Sequence, residues 1–179
     1  EVHASARTAL IEDSRFLRNA VNDRLRSASG STGAAGDSVV TYENGKPVAA
    51  PATTERFALW GQGFGSWGRT NGDGNAVKLT RKTGGFFIGA DIPVFDRWRL
   101  GAVAGYSRTD FDVKGRQSSG TSDNYHLGLY GGANWGALAL RTGAAYTWHD
   151  ISTNRTVGFP GLSDRLKGDY GAGTTQLFG

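Results

Sequence analysis

Between residues 56 and 179 the side chains alternate between a small or apolar face and a mixed polar one. Residues 98–106 show it best. Trp98, Leu100, Ala102, Ala104 and Tyr106 share one face, and Arg99, Gly101, Val103 and Gly105 the other, continued by Ser107 and Thr109. A period of two with an apolar face bounded by aromatics is the pattern of a strand whose outer side meets lipid. Trp98 and Tyr106 stand roughly 27 Å apart along a strand, or about 20 Å across a membrane at ~40° tilt, which puts one amphipathic ring at each interface.

Five further segments repeat the pattern. Residues 57–68 place Phe57, Leu59, Gly61, Gly63, Gly65 and Trp67 on one face. In 77–92 the even positions Phe86, Ile88, Ala90 and Ile92 are apolar. In 124–133 Tyr125, Leu127, Leu129, Gly131 and Ala133 oppose Asn124, His126, Gly128 and Tyr130. In 137–150 Leu138, Leu140, Ala144, Tyr146 and Trp148 oppose Arg141, Gly143, Ala145, Thr147 and His149. A sixth strand runs from about Leu166 to Gly179, with no clear choice of face. The connections 69–76, 111–123 and 151–165 read as long and polar, whereas 93–97 and 134–136 are short. Long loops at one end and tight turns at the other characterise bacterial outer-membrane barrels.

Ahead of the strands, residues 4–28 read as a helix. Leu10, Leu17, Val21, Leu25 and Ala28 make an apolar stripe, flanked by Ile11 and Ala20, and Gly30 is a stop signal. About 25 residues at 1.5 Å each give ~38 Å, enough to cross a hydrocarbon core of ~30 Å. The remaining faces carry Arg7, Glu12, Asp13, Arg15, Arg18, Asn22, Asp23, Arg24 and Arg26, which lipid would reject and a water-lined pore would accept. Residues 30–55 form a Ser/Gly/Ala/Thr-rich linker. Within it Asn44-Gly45 predicts a small hairpin, a prediction that Pro47 weakens.

Composition sharpens this division. Only four of the 28 glycines precede residue 56, and all five Trp follow it. No apolar run approaches the ~18 residues of a spanning helix, and a mean hydropathy of −0.39 is compatible with a barrel because only alternate residues face lipid. Cysteine is absent, which excludes disulfides and thiolate metal sites. The net charge of +4, without a basic–aromatic cluster, does not point to nucleic acid. The chain has neither an initiating Met nor a signal peptide, so it is expected to be processed or excerpted from something longer.

Residues 59–68, Leu-Trp-Gly-Gln-Gly-Phe-Gly-Ser-Trp-Gly, open the first strand behind helix and linker. Residues 83–91, 98–107, 125–131, 141–147 and 174–179 follow in order, reading TGGFFIGAD, WRLGAVAGYS, YHLGLYG, RTGAAYT and TTQLFG. Together they resemble the translocator β-domain of monomeric autotransporters, the type V secretion proteins. The resemblance implies an all-β fold: an antiparallel up-and-down outer-membrane barrel of 12 strands with an N-terminal α-helix in its lumen. Residues 1–29 would be the pore helix, 30–55 the linker and 56–179 the first half of the barrel, about six of the strands. Six strands also fall below the eight of the smallest common barrels, so Gly179 is expected to be a truncation.

The implied function is to export an N-terminal passenger and anchor it at the bacterial cell surface. Partners would be membrane lipid, the barrel-assembly machinery and the passenger itself. Lipopolysaccharide is expected beside Lys78, Arg81, Lys82 and Arg116. Neither a cofactor nor nucleic acid is expected.

Alternation assigns Arg81, Asp91, Arg99, His126, Arg141 and His149 to the lumen, where the charges can pair with the helix residues Arg15, Arg18, Asn22 and Asp23. Trp67, Trp98, Tyr106, Tyr146 and Trp148 would form the membrane girdles. Gly63, Gly85, Gly105, Gly128 and Gly143 would give curvature or room for the helix. No catalytic, cofactor or metal site is expected. His126 and His149 lack a third ligand at a telling spacing, the serines lack a Gly-x-Ser-x-Gly elbow, and Gly61-x-Gly63-x-Gly65 lies within a strand rather than before a helix. Asn22-Asp23 raises self-cleavage with Asp91 as the carboxylate, against the plainer reading of a polar helix residue. Competing readings are a small adhesin or porin-like barrel without passenger, a soluble ligand-binding β-barrel, and a barrel-embedded enzyme.

Overall fold

The computed structural model describes residues 2–31, 34, 36–70, 78–114, 118–159 and 162–179. One helix, α1 (Val2–Ala28), precedes eight strands: β1 (Ser38–Glu43), β2 (Lys46–Pro51), β3 (Ala58–Thr70), β4 (Lys78–Val94), β5 (Trp98–Lys114), β6 (Ser118–Trp135), β7 (Leu138–Phe159) and β8 (Leu162–Phe178). All pairings are antiparallel between chain neighbours from β3 onward, and the sheet order is β2-β1-β3-β4-β5-β6-β7-β8. The sheet is open, with β2 and β8 at its edges.

The linker contributes two strands beyond the six expected. Asn44 and Gly45 both take positive φ (50° and 76°), the signature of the tight turn whose twist matches paired strands. Pro47 does not prevent the ladder, because β2 is an edge strand whose outer side needs no donor. β1 joins the barrel strands through Val40 and Leu59.

The expected long connections 111–123 and 151–165 are in large part paired strand. β5 reaches Lys114, β6 starts at Ser118, and β7 pairs with β8 as far as Phe159 and Leu162. Above the lipid neither side of a ribbon is apolar, so the alternation disappears while the backbone ladder continues. The connection 71–77 lies outside the described residues.

Register fixes the faces. Leu59, Gly61 and Gly63 stand beside Ala90, Ile88 and Phe86, which stand beside Ala102, Ala104 and Tyr106 on the outer side. On β8 the pairing of Leu177 with Ala144 and of Phe178 with Gly143 turns the odd residues outward and the even ones inward. Gly63 therefore belongs to the outer face, and of the five glycines expected to make room for the helix only Gly85, Gly105, Gly128 and Gly143 lie on the inner one.

The helix packs on that inner face. Leu17, Ala20, Val21 and Leu25 are buried with Phe87, Val103, Tyr130 and Ala145, and Phe16, Trp60, Phe64 and Phe178 close around them. Phe16 stacks on Phe64 at 4.6 Å, and Phe64 on Phe87 at 4.8 Å. The helix thus touches β3 as well as β4 through β8. A rod ~10–12 Å across reaches six strands spaced ~4.8 Å apart only if the sheet curls around it.

Candidate functional site

Two polar clusters bracket the apolar middle of the helix–sheet contact. The lower one, level with the short turns, centres on Asp91 of β4. Arg24 donates from Nε to Oδ2 and from Nη2 to Oδ1, both at 2.8 Å. Arg99 of β5 also donates to Oδ1, and the Tyr130 hydroxyl donates to Oδ2 at 2.8 Å while accepting from Trp60 Nε1 at 2.7 Å. The same arginines tie in the segment after β2: Arg24 Nη1 donates to the Ala52 carbonyl at 2.8 Å, and Arg99 Nη2 to that of Thr54. The Asp91 side chain is fully buried, and a carboxylate so placed is tolerable only because two guanidinium groups and a hydroxyl satisfy it.

The upper cluster surrounds Ser107 of β5. Its hydroxyl donates to Asp13 of the helix (2.9 Å to Oδ2), accepts from Asn124 Nδ2 at 3.1 Å, and lies 3.0 Å from His126 Nε2. With the serine proton committed to Asp13, His126 donates from Nε2, and its Nδ1 accepts from the Thr147 hydroxyl at 2.9 Å. Asn124 Oδ1 accepts from His149 Nδ1 at 2.7 Å and from Ser122 at 2.7 Å, leaving His149 Nε2 to accept from Thr174 at 2.9 Å. All four imidazole nitrogens thus have side-chain partners, so the two histidines serve a structural network across β5, β6, β7 and β8. Ser107 offers its proton to a carboxylate rather than to an imidazole, which is not the arrangement of an activated nucleophile.

Of the residues assigned to the lumen, Asp91, Arg99, His126 and His149 lie in these clusters. Arg141 is on the same face, with Nη2 reaching Ser31 Oγ beyond the helix end at 3.4 Å, and Arg81 is half-buried on the inner side of β4. On the helix the expected residues are joined by two more. Arg15 and Asp23 are exposed, Arg18 and Asn22 half-buried, and Asp13 and Arg24 bond directly to the sheet. With Leu17 and Ala20, these two form an i, i+4, i+7, i+11 row, the same spacing as the apolar stripe, so a charge at each end of that row was the available signal. Asp91, with its oxygens held by two arginines and a tyrosine, is an ion-pair anchor rather than a free base for Asn22.

On the outer face Tyr106 lies 5.4 Å from Tyr125 and 6.5 Å from Phe86, and Trp148 stands beside Tyr125 in register and 4.8 Å from Tyr146. Toward the short turns Trp98 meets Trp135 edge-to-face at 5.7 Å. Trp67 is 80% exposed on the outer side of β3. Between the two aromatic levels Ile88, Leu100, Leu127, Leu129 and Leu140 are exposed, an apolar band that water would not tolerate. Of the residues expected beside lipopolysaccharide, Lys82 is exposed on the outer side of β4, Lys78 falls within the same strand, Arg81 turns to the inner side, and Arg116 lies outside the described residues.

The family model for the autotransporter β-domain matches residues 59–179. The chain belongs to the autotransporter β-domain family. Two proteins of Serratia marcescens, each named an extracellular serine protease, are 42% and 40% identical to it over 178 residues. The matched stretch is 99% of this chain but 16% of each relative, so the β-domain chain spans about a sixth of their length. No solved structure matches. An autotransporter β-domain is a type V secretion translocator of the bacterial outer membrane, not a catalyst, and the lipid-facing band and aromatic levels are the physical counterpart of that location.

Proposed function

We propose that this β-domain exports a passenger polypeptide joined ahead of its helix and then anchors it at the cell surface, leaving α1 in the pore as a plug. The observation that carries this is the doubly bonded Arg24–Asp91 pair between the helix and the inner wall. A helix with one charged row and one apolar row, seated against matching patches of a sheet whose outside is apolar, suits a channel that must be filled once its cargo has passed. The relatives' names support a secreted protease as the passenger. The barrel-assembly machinery is the partner that would insert the strands, and lipopolysaccharide the neighbour of Lys82, exposed beside Trp67 in register.

The test uses the full-length protein in outer membranes with an epitope tag immediately before the helix. Antibody labelling of intact cells is expected, and deletion of residues 1–28 from the purified barrel should raise single-channel conductance. A tag reached only after the outer membrane is permeabilised would overturn the export reading. Unchanged conductance would overturn the plug.

A further inference from the structure

We infer that the β1–β2 hairpin is the stop that ends outward travel of the chain and sets the depth at which the helix rests. This rests on the export reading above.

Three observations place the hairpin at the inner mouth and dock it there. First, β1 pairs with β3 through Val40 and Leu59, and Leu59 lies beside Ala90, near the short turn that joins β4 to β5. β1 runs antiparallel to β3, so its tip at Asn44-Gly45 points away from the membrane on the short-turn side. Second, Val39, Thr41 and Ala52 are buried, so the hairpin is seated rather than dangling. Third, the Ala52 and Thr54 carbonyls accept hydrogen bonds from Arg24 and Arg99, the arginines that hold Asp91. Helix end, hairpin exit and inner wall therefore meet at one point.

Shape and chain length turn that docking into a stop. The turn at Asn44-Gly45 closes the hairpin between neighbouring residues, so the ribbon needs no distant strand for its own pairing. A helix fills a passage ~10–12 Å wide, and a two-stranded ribbon with side chains on both faces is at least as broad. The helix turns over at Gly30, whose α-carbon abuts Thr53 just past β2, with a side-chain methyl at 3.5 Å from where a β-carbon would sit. Nine residues, 29–37, join the helix to β1, a tether of at most ~30 Å when fully stretched. A chain drawn outward thus comes to rest when the docked ribbon meets the mouth, and in that register Arg24 falls opposite Asp91 and Asp13 opposite Ser107. The ion pair then holds what the ribbon has positioned.

The experiment reads helix depth by thiol cross-linking in the full-length protein, in a chain that has no cysteine of its own over this region. L25C and G132C form the reporter pair, since a β-carbon at Gly132 would stand 3.1 Å from Leu25 Cδ2. All chains carry D91N, which weakens the ion pair so that it does not mask the stop while keeping the Arg24–Ala52 and Arg99–Thr54 bonds that dock the hairpin. With the hairpin intact the cross-link is expected to persist. Replacing residues 38–51 with an equal length of Gly/Ser should reduce it at least severalfold and shift reactivity to a more C-terminal helix position. Inserting ten Gly/Ser residues after Ser31, which leaves every strand untouched, should do the same. A cross-link undiminished in the insertion chain, with the passenger tag at the surface, overturns the stop while leaving export standing. A tag that never reaches the surface in the parent overturns the export reading itself.

Discussion

Arg24 and Asp91 stand 67 residues apart in the chain and meet through two parallel hydrogen bonds of 2.8 Å, with 4% of the arginine side chain and none of the aspartate exposed. Paired two-point contacts of this kind fix orientation as well as distance. The pair therefore locks α1 in the position and rotation in which its apolar row meets the sheet.

Asp91→Ala leaves Arg24 and Arg99 buried without their counter-charge. The expected cost is about 3–5 kcal/mol, the range for breaking a buried pair from one side. Heat- or urea-induced unfolding of the complete barrel in detergent measures it, and an unchanged midpoint would remove the pair from the stability of the domain.

Tyr130→Phe is a milder probe of the same cluster. It deletes the hydroxyl that donates to Asp91 and accepts from Trp60, leaving the indole N–H without that acceptor. A loss of about 1–3 kcal/mol is expected. The tryptophan emission of Trp60 should also change, which a mere loss of packing area would not require.

Gly85→Ala and Gly63→Ala separate the two faces of the sheet. A β-carbon at Gly85 would lie 2.3 Å from the Tyr106 carbonyl oxygen and 2.8 Å from Ser107 Cα, backbone atoms that cannot swing aside; at Gly63 nothing lies within 4 Å. Gly85→Ala should cost about 1–3 kcal/mol by overpacking, and Gly63→Ala should be near neutral. Comparable losses at both positions would contradict the assignment of faces.

Leu129→Arg tests the lipid band. Leu129 is 69% exposed on the outer face, midway between the aromatic levels. Arginine near a bilayer midplane costs about 2–4 kcal/mol, against about 0–1 at an interface position such as Trp67→Arg. Folding into lipid vesicles of the complete barrel distinguishes the two, and equal penalties would place Leu129 outside the hydrocarbon.

What could be read from the chain follows from where lipid imposes a pattern. Leu127 and Leu129 against His126 and Gly128 fix a strand and its faces, because one side must be apolar and the other must meet the helix. Residues 111–123 carry no such mark: Ser118 and Ser122 read as loop chemistry, yet they are inward-facing strand residues. Gly63 was ambiguous for another reason. Glycine fits either face, and only its register with Phe86 decides. Asp13 and Arg24 were hidden by the habit of assigning charges to the wet side of a helix, whereas two of them belong to the row that contains Leu17 and Ala20. The partner that makes burial of Arg24 possible, Asp91, lies far along the sequence, and no local pattern connects them.

The length of β7 has a consequence for whatever leaves the channel. From Trp148, at the upper aromatic level, the paired ribbon continues to Phe159, a rise of about 36 Å along the strand or about 28 Å along the membrane normal at ~40° tilt. The wall on this side stands above the lipid as a parapet about as tall as the hydrocarbon layer is thick. On the export reading proposed above, cargo leaving beside it would be released clear of the lipid headgroups, and its first free residues would begin where diffusion rather than the membrane surface governs what they meet.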